Sequence, residues 1–253
     1  MAAGGPVDRS PRENTPPRLG ERASGADDTN AVDTRARFDE RARMVERQLA
    51  ARGIADTRVL AAMRSVPREL FVPESFRHAA YADRPLPIEA GQTISQPYIV
   101  ALMIEAAALA PDDRALEVGA GSGYATAVMS RLAREVVGIE RHRVLAERAA
   151  ARLQRLGYAN AEVRCADGSA GCPERAPFDA ILVAASGPRV PAALLAQLAP
   201  GGRLVMPVGG EHFAQRLVKV TRRDDDTFEE EDLGGVAFVP LIGAEGWPDD
   251  AAR

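Results

Sequence analysis

Cysteine is scarce in this chain: Cys165 and Cys172 are the only two in 253 residues. Two cysteines make no disulfide framework, and their spacing fits no common zinc pattern, so they read as free thiols of a reducing compartment. Lysine is scarcer still. Lys219 is the only lysine among 32 Lys and Arg residues, which 36 Asp and Glu outnumber for a net charge of −4. That balance excludes the basic field of a nucleic-acid binder and the polybasic block of a membrane-surface protein. The Arg usage, in an Ala-rich text, reads as coding bias. No apolar run approaches the roughly 20 residues of a membrane span, and the N-terminus carries no apolar segment of signal-peptide type. These absences predict a soluble, cytoplasmic monomer with no metal, nucleic-acid or membrane partner.

What is present is enough for a core, with 46% hydrophobic residues. The apolar residues are unevenly spread. Residues 1–37 are rich in Pro, Gly, Arg, Asp and Glu and cannot bury enough apolar surface to offset their ordering entropy, so they are expected to be a disordered extension. Helical periodicity starts near Phe38 with Met44, Val45 and Leu49, and Gly53 follows as a stop. Val59, Leu60 and Met63 form a second stripe closed by Pro67. "RELFVPESF" reads as a short helix broken by Pro73, "ADRPLPIEAG" as a loop, and a helix starts at Pro97. From Arg114 short strands alternate with helices: "RALEV", "EVVGIE", "AEVRC", "FDAILVAA" and "GGRLVMPVG" are the strands. Such alternation predicts an α/β fold with a doubly wound, mostly parallel sheet. "AQRLVKVTRR" and "GGVAFVPLI", flanking the acidic "DDDTFEEED", predict an antiparallel C-terminal strand pair. Residues 38–110 then form a helical cap and lid, and 111–253 the core.

The most informative stretch is "LEVGAGSGY", with Glu117, Gly119, Gly121 and Gly123 between a strand and a helix. In a doubly wound sheet ligands sit at the carboxyl ends of the strands, where glycine lets backbone approach closely. A dinucleotide fingerprint needs glycine where Tyr124 stands. No G-K-S/T follows, so it is not a P-loop. Ala120 and Tyr124 flank Ser122 where a nucleophile elbow needs glycines. The remaining pattern, acidic-x-G-x-G-x-G, suits an adenosyl group with a charged amino-acid tail. Glu117 can meet the ammonium. Glu140, 21 residues after Gly119 at the end of the next strand, can accept both ribose hydroxyls. Asp167 in "CADGS" falls where an adenine edge would lie. Each residue also has a plainer reading: Glu140 as a helix N-terminal acid, Asp167 as a turn residue. Their agreement in order and spacing points to S-adenosylmethionine.

With these motifs in place, the chain resembles the protein-L-isoaspartate (D-aspartate) O-methyltransferases over about residues 38–242. The matching stretches are "MVERQLAARGI", "VPRELFVPE", "LPIEAGQTISQPYIVALM", "LEVGAGSGYATAV", "PFDAILVAA", "LAPGGRLVMPVG" and "FVPL". The resemblance implies a Rossmann-like class I methyltransferase. Its cofactor residues would be Thr93, Ile94, Glu117, Gly119, Ala120, Gly121, Ser122, Gly123, Glu140, Arg141, Asp167 and Gly168. It also implies that "TISQP" is a lid between cofactor and substrate, with Ser95 facing the acceptor carboxylate. The competing reading is that Thr93 or Ser95 caps the helix at Pro97. Where the family usually has Gly, Thr and Arg, this chain has Ala166, Ala184 and Ala237.

The implied chemistry needs no base. A carboxylate with a pKa near 4 is already ionised at neutral pH, so the protein supplies mainly proximity and orientation, worth roughly 7–11 kcal/mol. His78, His142 and His212 are therefore expected to be non-catalytic, and Ser95 to orient the carboxylate. The implied substrate is an isoaspartyl, or D-aspartyl, site in a damaged peptide, bound in extended form near "VAFVPL". Its methyl ester can close to a succinimide that reopens to normal aspartate. Two alternatives are a carboxyl methyltransferase for a peptide natural product, and a silent S-adenosylmethionine-binding module.

Overall fold

A computed structural model describes residues 1–2, 26–211 and 214–249; His212 lies outside them. Two units divide at Arg37/Phe38. Helix α1 (Ala26–Met44) begins in the first unit, twelve residues ahead of the expected start near Phe38. No proline lies between Pro17 and Pro67, so nothing in the sequence of 26–37 forbids helical backbone. The rest of the segment expected to be unstructured lies mostly outside the described residues.

In the second unit α1 runs into a wider turn over Val45–Leu49 and a tight one over Ala50–Arg52, stopped by left-handed Gly53 (φ 103°). Helix α2 (Thr57–Ser65) starts at Asp56, whose side chain accepts the Arg58 N–H. "RELFVPESF" forms two 3₁₀ turns, Arg68–Leu70 and Glu74–Ala79, and no α-helix; Pro73 lacks the N–H that would join them. The expected loop holds β1 (Leu86–Pro87), which forms a minimal ribbon with β2 (Thr93–Ile94) just beyond it. Helix α3 (Pro97–Ala107) follows with proline in its first turn.

The core alternates as expected: β3 (Arg114–Val118), α4 (Tyr124–Met129), β4 (Glu135–Glu140), α5 (Arg143–Arg155), β5 (Ala161–Cys165), β6 (Phe178–Val183), α6 (Ala192–Ala196) and β7 (Leu198–Gly209). Two antiparallel strands close it, β8 (Gln215–Arg222) and β9 (Phe228–Val236). The seven-stranded order is β5-β4-β3-β6-β7-β8-β9, parallel through β7. Strand order reverses at β3, so a crevice opens between the ends of β3 and β6, where such folds bind ligands.

Neighbouring strand residues feed two cores, one on each face of the sheet. Ala115, Val136, Ala180, Leu182 and Leu217 pack with α2, α3 and α4. Leu116, Val137, Ile181, Val183 and Val218 pack with α6 on the other side.

The last strand differs from expectation. The acidic stretch is itself β9, and the turn is only its first residues. Opposite charges pair it to β8: Lys219 with Glu231, Arg216 with Asp232, and Arg223 with Glu229. Such cross-strand pairs outweigh the poor strand propensity of glutamate. "AFVPLI" leaves the sheet edge and runs back across the strand ends, bridging at Ser186 and Pro240.

Candidate active site

After Val118 the chain turns through Gly119, Gly121 and Gly123, at φ 83°, 54° and 83°. These are left-handed values that glycine adopts without penalty. The Gly119 and Ala120 amides both donate to the Ile139 carbonyl, at 2.8 and 3.1 Å, which draws the loop onto the end of β4. There Glu140, 5% exposed, accepts the Gly121 N–H at 2.9 Å and the His142 N–H at 2.8 Å. Glu140 thus braces backbone at the start of α5, and each of its oxygens keeps a lone pair for another donor. Glu117, 2% exposed, accepts from the Thr126 hydroxyl. Burial pushes its carboxyl up to about 8; the Thr126 hydroxyl opposes the shift and nearby Glu140 adds to it.

Three spaces meet over this loop. A cavity of about 50 Å³ is bounded by Ile94, Ser95, Glu117, Ala120, Ser122 and Tyr124, among others. A second, about 350 Å³, runs to Glu140, Arg141, Gly168 and the Val239–Ile242 segment. A wide groove of about 1170 Å³ lies outside, between Ser95, Gln96 and Tyr98 and the Val236–Pro240 segment. Thr93 and Ala184 border all three, while Ser95 borders the small cavity and the groove. Gly119 and Gly121 border both inner cavities. A Cβ on Gly119 would sit 3.7 Å from Ala184, and one on Gly121 3.4 Å from Ile88; either would narrow the passage between them. On Gly168 a Cβ would stand 2.5 Å from Val118 Cγ1, which leaves only glycine there. An acid at one end, two unencumbered glycines in the middle and a second acid beyond fit a long ligand with a cationic tail and a hydroxylated sugar.

Other expected residues have different neighbours. Gly123 packs on α5, where a Cβ would meet Ala149 at 3.2 Å; it serves helix packing and borders neither inner cavity. Asp167 is engaged by its own chain. Its Oδ1 accepts from the Ser169 N–H and hydroxyl, and its Oδ2 from the Ala244 N–H at 2.8 Å. Burial raises the Asp167 carboxyl, but the Ala244 and Ser169 donors outweigh it and hold it below the ordinary value. It borders a side cavity with Arg141, Ala166, Trp247 and Asp249, where Arg141 pairs with Asp249 at 2.5 Å. The cap reading of "TISQP" fails. The residue preceding α3 is Gln96, and no side chain caps that helix.

The sequence of residues 39–246 matches the family described as Protein-L-isoaspartate(D-aspartate) O-methyltransferase (PCMT). The Protein-L-isoaspartate O-methyltransferase of Rhodopseudomonas palustris is 58% identical over 212 residues, 83% of this chain and 97% of that one.

The chain belongs to the protein-L-isoaspartate(D-aspartate) O-methyltransferase family.

Protein-L-isoaspartate O-methyltransferase 2 of Pelobacter propionicus is 57% identical over 204 residues, covering 81% of this chain and 91% of that one. A solved protein-L-isoaspartate O-methyltransferase superposes with TM-score 0.72 at 31% identity, covering 81% of this chain and 67% of that chain. A Plasmodium falciparum structure of the same family name, in complex with S-adenosyl-L-homocysteine, gives 0.70 at 29%, covering 80% of this chain and 98% of that one.

Two of the three alanine departures, Ala184 and Ala237, border the wide groove, and Ala184 borders both inner cavities as well, whereas Ala166 borders only the side cavity beside Asp167. Sequence reasoning missed Arg52, Gln96 and Tyr98 as groove residues. Arg52 stacks on the Tyr98 ring at 3.6 Å and pairs with Asp83 at 2.6 Å. Arg52 lies 44 positions before Gln96 and 46 before Tyr98, so no local motif could have joined it to them.

Proposed function

We propose that this chain transfers a methyl group from S-adenosylmethionine to the free carboxylate of L-isoaspartyl residues in damaged peptides and proteins, with Ser95 orienting that carboxylate. S-adenosylmethionine supplies an electrophilic methyl group on a sulfonium. Glu117 receives its ammonium end, Glu140 its ribose hydroxyls, and Gly119, Gly121 and Gly168 leave room for the body between. The observation that carries the reading is the position of Ser95, on the one wall shared by the small inner cavity and the open groove.

The acceptor is an anion that needs positioning and no deprotonation. A hydroxyl on that wall can donate to one carboxylate oxygen and leave the other aimed inward. The groove does not repel an anionic peptide, because no carboxylate is among its described lining residues and its one charged side chain, Arg52, is a cation held by Asp83. Water is kept from the inner cavity by Ile94, Val100, Met103 and Leu182, all of them buried. Esterification replaces an oxygen that cannot leave with a methoxy group that can, so the neighbouring backbone amide nitrogen can attack the ester carbonyl, expel methanol and close a succinimide. Two free cysteines suit a cytoplasmic protein.

Tritiated methyl transfer to an isoaspartyl peptide, measured beside its normal aspartyl twin, tests the activity. Label in the isoaspartyl peptide alone is the expected result, and equal labelling of both would refute it. Ser95→Ala should lower kcat roughly ten- to a hundred-fold, the loss of one orienting hydrogen bond. Its S-adenosylhomocysteine affinity should stay within twofold of wild type. Unchanged turnover would remove Ser95 from the mechanism.

A further inference from the structure

Among the described residues, the bulkiest fully buried side chain is an arginine. Arg68, in the tight turn after α2, is 0% exposed. Its Nε–H donates to the Ala80 carbonyl at 2.8 Å, and its Nη2–H to the Ser95 carbonyl at 2.8 Å. The guanidinium carbon lies 4.9 Å from the centre of the Tyr124 ring, and that residue borders the inner cavity at the foot of the glycine loop. Nη1 has no hydrogen-bond partner among the described residues. Burial lowers its ordinary value to about 10, so Arg68 stays protonated at neutral pH.

A buried cation is costly, and apolar residues of similar volume often serve stability as well. Its contacts therefore matter. Two are carbonyls on separate segments and one is an aromatic face. The segment that needs holding is plain. Ser95 follows β2, which pairs with β1 over only two residues, too little ribbon to be rigid alone. It precedes α3, which no side chain caps. From the other side Gln96 Nε2 reaches the Asp83 carbonyl at 3.2 Å. The Arg68 bond therefore sets the tilt of the peptide plane on which the Ser95 side chain stands, and stacking ties that plane to the wall of the methyl-donor cavity.

We propose that Arg68 is a positioning residue for methyl transfer: it holds Ser95 at the cavity wall through the Ser95 carbonyl and touches neither substrate. This rests on the reading of Ser95 given above. A residue that acts only through Ser95 must lose its effect when the hydroxyl is gone. A residue that merely supports the fold must keep it.

The test is a double-mutant cycle in the full chain, with Arg68→Met, Arg68→Lys and Ser95→Ala assayed on an isoaspartyl hexapeptide. Arg68→Met should lower kcat ten-fold or more and leave the S-adenosylhomocysteine dissociation constant within twofold. Arg68→Lys, which keeps a donor for one carbonyl, should recover part of that loss. In the Ser95→Ala background Arg68→Met should cost less than threefold. Effects that multiply across the cycle would overturn the proposal. If Arg68→Met does not fold, Arg68→Lys in both backgrounds carries the same comparison. Hydrogen exchange supplies an arm that needs no substrate. The amides of residues 93–96 should exchange faster in Arg68→Lys while those of β3, β4 and β6 hold, and unchanged exchange at 93–96 overturns the proposal. A chain inactive on isoaspartyl peptide would sink the proposed function and leave exchange to decide Arg68.

Discussion

Glu117 is a carboxylic acid at neutral pH, because burial lifts it to about 8. The sign of the linkage follows. Between the unfolded value of about 4.3 and the folded value, the native chain holds a proton that the unfolded chain has released, so stability falls as pH rises through that window. A ligand that brings an ammonium to Glu117 reverses the preference and expels the proton. Titrating S-adenosylhomocysteine at pH 7 in two buffers of different ionisation enthalpy should therefore show release approaching one proton per ligand, and a heat independent of buffer would take Glu117 out of the ammonium role. The placement of Glu117 and Glu140 at the carboxyl ends of β3 and β4 was legible because strand ends can be read from the apolar runs before them. Arg68 was not. "VPREL" offers a surface-looking arginine, and nothing in its spacing announces that Ala80 and Ser95 will close over it.

Segments behaved differently from single residues. The alternating strands and helices were readable because each apolar run has one period and one length, and β3, β4 and β5 fall where that pattern puts them. The tight turns around Pro73 and the acidic strand β9 were not, since Pro73 divides one short apolar run and β9 is held to β8 by charge pairs and has no apolar alternation; other segments take their backbone from partners distant in sequence. The turn over Gly243–Trp247 is such a case. It hangs on Asp167 and Ser169, and the Trp247 indole donates to the Ser186 carbonyl at 3.0 Å. Asp167→Asn keeps the size but removes the charge from this clasp and replaces one acceptor with a donor. It should cost about 1–3 kcal/mol of stability and shift the emission of Trp247, the single tryptophan, to the red. An unmoved spectrum with an unmoved melting temperature would mean that the turn does not depend on Asp167.

For the whole molecule, the buried positions of the second unit begin at Met44, and the division at Arg37/Phe38 leaves them intact. Removing residues 1–37 is expected to shift the melting temperature by no more than a few degrees, a stability change under about 1 kcal/mol, and to leave turnover on isoaspartyl peptide unchanged. A large drop in either would assign the extension a place in the fold. One feature of the sheet bears on how copies of the chain meet each other. Strand β9 is the outermost strand, nine residues long and largely exposed. An open edge of that length is an invitation to stack edge on edge into aggregates. Its outer run is Glu229, Glu230, Glu231 and Asp232, and a second copy would bring the same four acids against it. Like charges facing each other along a ladder repel. The run that fastens β9 to β8 inside one molecule therefore also works against a second molecule pairing there, and solubility at high concentration should fall as pH drops toward the carboxylate range.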